Sequence, residues 1–209
     1  MEGINLRTLI LIYIIFYFSL TFYFDHKILT DLIYFEFYSD KFSESRIFEL
    51  LDFRKKWLWI TYPIKFLFQL IAIQIPAMLI YLGFYLGNYE IKYKKIFEVV
   101  LISEFIFFIP LIIKITWFSF HPVSMDAIRL YAPLSLFSIF DSSILKEWLY
   151  YPFKVLNLFE VAYWVLLAFL LAKYLNKSID SMLKIVLGYY VSFLFCWIVF
   201  VMFITLGNS

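Results

Sequence analysis

The chain of 209 residues is 64% hydrophobic and 24% aromatic, with a mean hydropathy of +0.86. Ordinary soluble domains are about 45 to 50% apolar, so this composition excludes a soluble globular fold. The net charge is only +2 and no basic patch is visible, which excludes nucleic acid as a partner. We therefore expect an all-α polytopic membrane protein, with residues 1–209 forming a single membrane domain in contact with the lipid bilayer.

The first predicted membrane span covers 6–24, an apolar run without a signal-peptide cleavage site after it. Residues 25–56 follow with six Lys/Arg and seven Asp/Glu, too many charges for a bilayer, so they form the largest predicted extramembrane loop. Within this loop Ile47, Leu51 and Trp57 fall on one side of a helical wheel. That pattern predicts an amphipathic helix lying either at the membrane interface or on the protein's own loops.

The remaining hydrophobic runs bring the total to five transmembrane helices. The second run contains Pro76, which predicts a loosened or kinked helix. At its end Gly83 and Gly87 form a G-x-x-x-G pattern, which occurs where two membrane helices pack closely, so a homo-oligomer is one interpretation. The piece Leu134 to Phe140 is apolar but too short to cross, and lies at the surface or dips partway in. The four further spans are predicted at 60–87, 96–120, 152–172 and 185–206.

The connectors between spans predict the orientation. The short connectors 88–95 and 173–184 are dense in lysine, and cytoplasmic loops carry the excess of positive residues, so we expect a cytoplasmic N-terminus. Glycine is scarce while Phe, Tyr, Ile and Lys abound, a bias typical of AT-rich bacterial genomes. The expected location is therefore a bacterial inner membrane.

Polar side chains inside the spans form the candidate intramembrane network: Lys65, Gln74, Glu104, Lys114 and Glu160. At about 1.5 Å per helical residue, the two lysines and Glu160 lie about 9 to 12 Å from the face shared by the two large connections. Gln74 and Glu104 lie about 24 to 26 Å from that face.

Two interpretations of this network are open. In the first, it is a polar path in which one of the glutamates takes up a proton or a cation. In the second, it is structural: Lys65 and Lys114 snorkel to the interface or pair with Glu160, while Gln74 hydrogen-bonds Glu104.

No enzyme motif accompanies these residues. His26 and His121 lie in separate loops and Cys196 is the only cysteine, so neither a metal site nor a catalytic dyad is indicated. The usual nucleophilic, metal and phosphate-binding motifs are absent from the sequence. We expect no catalytic residues, no cofactor and no enzymatic activity, with a membrane enzyme of unrecognised motif as an alternative.

The second half of the chain resembles the Yip1 family. The resemblance lies in the runs LSLF at 134–137, LNLFEVAYWVLLA at 156–168 and NKS at 176–178, and extends over residues 57–206. It implies five membrane helices with a cytoplasmic N-terminus. Eukaryotic members of that family are associated with Rab GTPases and vesicle trafficking. The implied class is a non-enzymatic scaffold or accessory subunit with a membrane-protein partner; a small carrier or ion-coupled permease using the intramembrane glutamates is the alternative.

Overall fold

A computed structural model of the protein describes residues 5–140 and 144–207. These residues are mostly helical and include no strand, which confirms the all-α prediction. Within these residues, five helices are long and apolar enough to cross a membrane, as expected. They are Leu6–Ile28, Glu44–Leu86, Tyr93–Phe120, Leu158–Leu175 and Ile179–Gly207.

The second span is one end of a much longer helix. Helix α1 (Leu6–Tyr23) continues through a π-helical turn (Phe24–Ile28), and the short helix α2 (Asp31–Ser39) then precedes α3 (Glu44–Leu86). With 43 residues, α3 is about 65 Å long, roughly twice the thickness of the hydrocarbon layer. The predicted loop 25–56 is therefore largely helical, and its amphipathic helix and the second span form a single element.

Polar contacts fix the first part of α3 against the chain that follows α1. Arg54 donates hydrogen bonds to Asp31 Oδ1 at 3.1 Å and to the Leu29 carbonyl at 3.0 Å. Ile47 and Leu51 are buried, whereas Trp57 is exposed. Of the two interpretations of the amphipathic stripe, these contacts favour a helix that packs on the protein's own connections.

The third span changes its helical geometry halfway along. Helix α4 (Tyr93–Glu104) passes into a 3₁₀ turn (Phe105–Phe107) and then into α5 (Phe108–Phe120). Pro110 explains the change, because it has no N–H to donate to the carbonyl four residues earlier and its ring crowds that carbonyl. Glu104 consequently lies at the end of a regular helix, next to an irregular turn.

The connection between the third and fourth spans is folded onto the end of the bundle. It contains α6 (Met125–Leu130), α7 (Tyr150–Val155) and two 3₁₀ turns (Leu136–Ile139 and Glu147–Leu149). The apolar piece 134–140 contains the first of these 3₁₀ turns and no α-helix. Its Leu136 N–H donates to the Leu156 carbonyl at 3.0 Å, and Leu158 N–H donates to the Leu134 carbonyl at 3.0 Å. Residues 141–143 of this predicted connection lie outside the described residues.

The last two spans complete the core. Helix α8 (Leu158–Leu175) begins after Asn157, later than the predicted 152, and ends at Asn176, whose φ of 51° reverses the chain. Helix α9 (Ile179–Ile185) then continues through a π-helical turn (Val186–Val191) into α10 (Ser192–Gly207). The core between α3, α4, α8 and this last span is formed by fully buried side chains, among them Ile73, Ile80, Phe84, Val100 and Leu167.

Gly83 is used within the chain. A Cβ atom on Gly83 would lie 2.6 Å from Tyr189 Cδ2, so only glycine lets α3 approach the last span this closely. A Cβ on Gly87 would lie 2.9 Å from the ring of Tyr89. Both glycines of the G-x-x-x-G pattern thus meet side chains of the same chain, and the pattern no longer supports a homo-oligomer.

Candidate functional site: two glutamates among tyrosines

Three members of the predicted network have partners other than those expected. Lys65 forms an ion pair with Asp25 at 2.6 Å, and Asp25 is 5% exposed. Sequence reasoning missed Asp25 because it assigned this residue to a loop, whereas the π-helical turn carries it into the bundle as an extension of the first span.

Gln74 and Lys114 also lie apart from the glutamates. The Tyr93 hydroxyl donates a hydrogen bond to Gln74 Oε1, so the expected hydrogen bond between Gln74 and Glu104 is not formed. Lys114 Nζ donates to the backbone carbonyl of Ile128 at 2.7 Å rather than to Glu160. The predicted network is therefore divided, and only its two glutamates lie together.

Glu160 lies in the first turn of α8. Its backbone N–H is capped by Asn157 Oδ1 at 2.9 Å, which starts the helix at this point. Its Oε1 accepts hydrogen bonds from Trp164 Nε1 at 2.9 Å, one helical turn along, and from the Tyr190 hydroxyl at 2.8 Å. Tyr190 belongs to the π-helical turn of the last span, so one carboxyl oxygen joins two membrane helices.

Glu104 faces Glu160 across a buried tyrosine. Its side chain is 6% exposed and lies close enough to that of Glu160 for the two carboxyls to interact. Tyr163 is fully buried beside both glutamates. The Tyr163 hydroxyl lies close enough to the Glu104 carboxyl for a hydrogen bond, although among the described residues it forms none of ordinary geometry.

The cluster extends to all five spans. Gln69 of α3 donates to the Tyr13 hydroxyl of α1 at 2.8 Å, and Tyr13 is close enough to Glu104 for an electrostatic interaction. Sequence reasoning missed Tyr13, Tyr163 and Tyr190 because 17 tyrosines are spread over the chain and hydropathy treats them as ordinary span residues. Only the spacing of Glu160, Tyr163 and Trp164, three and four residues apart on one helix face, was a visible signal.

Chemically, the cluster can hold a proton or share one between its two carboxyls. Among the residues that the structure describes, no group of three or more His, Cys, Asp or Glu side chains could hold a metal ion. A cavity of about 470 Å³, lined mainly by apolar side chains such as Leu136, Ile139 and Val161, reaches Glu160 from the outside of the bundle. The glutamate pair is thus buried on one side and adjacent to an accessible apolar cavity on the other.

Comparisons with protein-family models, with curated proteins and with solved structures find no match for this chain.

Proposed function

We propose that this membrane protein is a non-enzymatic scaffold or accessory subunit that binds a partner membrane protein through a groove on α3 and α4. The proposed location is a bacterial inner membrane with the N-terminus in the cytoplasm. The resemblance to the Yip1 family supports the same class, because scaffolding is the role that this family implies. The five spans joined by one polar cluster support a rigid body that presents its outer faces to other proteins.

One observation carries this proposal: the unpaired amide of Gln74 in an apolar groove. The groove has a volume of about 820 Å³ and is lined by Gln74 and by apolar or aromatic side chains that include Met78, Leu82, Tyr85 and Tyr93. Gln74 accepts a hydrogen bond from Tyr93 through its oxygen, but its amide nitrogen donates none within the part of the chain that the structure describes. Two N–H donors therefore point to no acceptor.

The depth of Gln74 makes this unpaired amide informative. It lies 12 residues before Leu86, the last residue of α3, and hence about 18 Å along the helix from that end. A polar group facing hydrocarbon without a partner costs several kcal/mol, and hydrogen bonds between membrane helices are one way in which such groups are satisfied. A partner helix that lies in the groove and offers an acceptor near Gln74 both accepts the missing hydrogen bond and fills the groove.

Site-directed cross-linking in native membranes tests this proposal. Cys196 is the only cysteine, so a Cys196→Ser background allows single cysteines at Leu82 in the groove and at exposed Phe203 on α10 as the matched control. With a thiol-linked photo-crosslinker we expect Leu82→Cys to yield one defined adduct that Phe203→Cys does not.

Adding Gln74→Leu to the Leu82→Cys variant reduces that adduct if the amide recognises the partner. An adduct between two copies of the chain identifies the partner as a second copy. The same diffuse labelling from both positions, unchanged by Gln74→Leu, contradicts the proposal.

A second candidate function, a small carrier or ion-coupled permease, is supported by the Glu104 and Glu160 pair. Both glutamates lie beside irregular backbone, the 3₁₀ turn after Glu104 and the π-helical turn that carries Tyr190, and such irregular turns are frequent at functional sites. The apolar cavity next to Glu160 offers a route from outside the bundle. A carrier would use these features to take up and release a proton.

Proteoliposomes with a pH-sensitive dye inside separate the two functions. If the chain is a carrier, an imposed pH gradient dissipates faster with the wild type than with the double variant Glu104→Gln/Glu160→Gln. Exposed Glu147→Gln serves as the control and leaves the rate unchanged. Equal rates for wild type, double variant and empty liposomes exclude proton coupling and leave the scaffold proposal.

A further inference from the structure

Two lysines line a small cavity at the end of the bundle. Lys114 of α5 and Lys154 of α7 face a space of about 220 Å³, together with Tyr131, Ser135 and Asn157. Each ammonium donates to a backbone carbonyl near the end of α6: Lys114 to Ile128 at 2.7 Å and Lys154 to Arg129 at 2.6 Å. An ammonium group has three N–H donors, so two on each lysine remain for a ligand.

Among the residues that the structure describes, neither lysine has a carboxylate partner. The ion pairs formed within residues 5–140 and 144–207 involve neither Lys114 nor Lys154. Burial lowers the pKa of Lys154, and the positive charge of Arg129 lowers it further. Lys154 in turn lies near enough to Lys114 for their charges to repel. A half-buried group of positive charges without an anion is unfavourable unless a ligand supplies one.

An apolar cavity adjoins the lysine cavity. The cavity of about 470 Å³ that reaches Glu160 shares two lining residues, Ser135 and Asn157, with the lysine cavity. Its other walls include Leu136, Ile139 and Trp164. Its volume lies within the range of about 300 to 1,000 Å³ in which small-molecule sites fall. Adjacent cationic and apolar cavities match a ligand with an anionic head and a hydrocarbon tail.

The depth of the lysine cavity agrees with such a ligand. Lys114 lies six residues before Phe120, the last residue of α5, or about 9 Å from that end of the span. This is near the boundary between hydrocarbon and headgroups, where basic pockets between membrane helices bind anionic headgroups. We propose that Lys114 and Lys154 bind the phosphate of an anionic phospholipid whose acyl chain lies in the apolar cavity beside Trp164.

Lipid titration of the purified full-length chain in neutral detergent tests this site. The probes are phosphatidylglycerol and phosphatidylcholine with identical acyl chains, and inorganic phosphate. Both lipids carry a phosphodiester, but phosphatidylcholine also carries a quaternary ammonium whose positive charge is repelled by the two lysines, so we expect phosphatidylglycerol to bind at least about tenfold more tightly than phosphatidylcholine. Lys114→Gln/Lys154→Gln removes this preference, whereas the exposed pair Lys94→Gln/Lys177→Gln keeps it.

Brominated acyl chains locate the tail. Bromine quenches tryptophan fluorescence at short range, so brominated phosphatidylglycerol quenches the wild type more than the variant Trp164→Phe. Val161→Trp fills the apolar cavity and weakens lipid binding, whereas Val165→Trp, one turn further along α8, does not. This measurement needs no lysine variant, so it remains decisive if the lysine variants fail to fold.

Four outcomes overturn the proposal. Three of them are equal affinity for the two lipids, an unchanged preference in Lys114→Gln/Lys154→Gln, and quenching that does not depend on Trp164. Binding of inorganic phosphate without any quenching by brominated lipid assigns the cavity to a free anion and likewise overturns the lipid site.

Discussion

Lys154 and Glu160 are six residues apart in the chain, yet their surroundings differ. Glu160 accepts hydrogen bonds from Trp164 and from Tyr190 of another span. Lys154 donates to one backbone carbonyl of its own connection and lies near other cations. The carboxyl therefore has its partners within the bundle, while the ammonium has one hydrogen-bond acceptor among the described residues.

This difference distinguishes a side chain that stabilises the fold from one that is available to bind a ligand. A buried carboxyl that joins two spans through donors of the same chain contributes to the stability of the fold. A half-buried ammonium without an anion destabilises the folded state. A ligand that supplies the anion then stabilises the protein by mass action. Mutations at Glu160 are thus expected to change the stability of the fold, whereas mutations at Lys114 and Lys154 are expected to change the affinity for lipid.

Glu160→Ala is expected to have the largest effect on stability. It leaves the half-buried Trp164 and Tyr190 donors without an acceptor, and each unsatisfied group costs about 1 to 3 kcal/mol, so we expect a total loss of about 2 to 6 kcal/mol. Glu160→Gln keeps an acceptor oxygen and loses less. Unfolding in mixed micelles measures both, with exposed Glu147→Ala as the control. An equal loss in Glu160→Gln and Glu160→Ala shows that the hydrogen bonds are not the cause.

Gly83→Ala tests whether close packing between α3 and the last span, rather than hydrogen bonding, stabilises the region around Glu160. The new Cβ would lie 2.6 Å from Tyr189 Cδ2, next to Tyr190, and must push the last span away. Overpacking of this kind costs about 1 to 3 kcal/mol. Gly188→Ala is the matched control, since a Cβ there meets nothing within 4 Å. The same unfolding assay contradicts the packing argument if the two alanine variants are equally stable.

Lys114→Met/Lys154→Met is expected to change stability least in lipid-free detergent, by no more than about 1 kcal/mol, because replacing unpaired half-buried charges by apolar groups is often neutral or stabilising. Adding phosphatidylglycerol then raises the melting temperature of the wild type but not that of the variant. A large loss of stability in the absence of lipid contradicts the proposed difference between the region around Glu160 and the two lysines.

The all-α fold class, the five spans and the position of the glutamates inside them could be predicted from the sequence, because the lengths of the apolar runs decide them. The partners of the glutamates were not predictable. Tyr13, Tyr163 and Tyr190 are brought to them by helix packing and by a π-helical turn, and neither leaves a pattern in hydropathy. The alternative in which Lys65 and Lys114 pair with Glu160, rather than snorkel to the interface, assumed that equal depth means contact. Depth does not fix which helix faces meet, and Lys65 pairs with Asp25 instead.

The pH dependence of Lys154 gives the smallest and most specific prediction, because stability and affinity change in opposite directions. Its pKa lies below the usual value of about 10.4, so its ammonium loses its proton earlier in the folded protein than in the unfolded one. Between the two pKa values the unfolded state binds more protons, and stability in lipid-free detergent rises with pH.

Over the same pH interval the affinity for phosphatidylglycerol falls, because the group that binds the phosphate becomes neutral. Lys154→Arg keeps its charge at every pH in this range and provides the control for all other titrating groups. Titrations of the wild type and of Lys154→Arg at pH 7 and near pH 10 measure the difference. If affinity and stability of the wild type change in the same direction relative to Lys154→Arg, Lys154 does not bind the lipid phosphate.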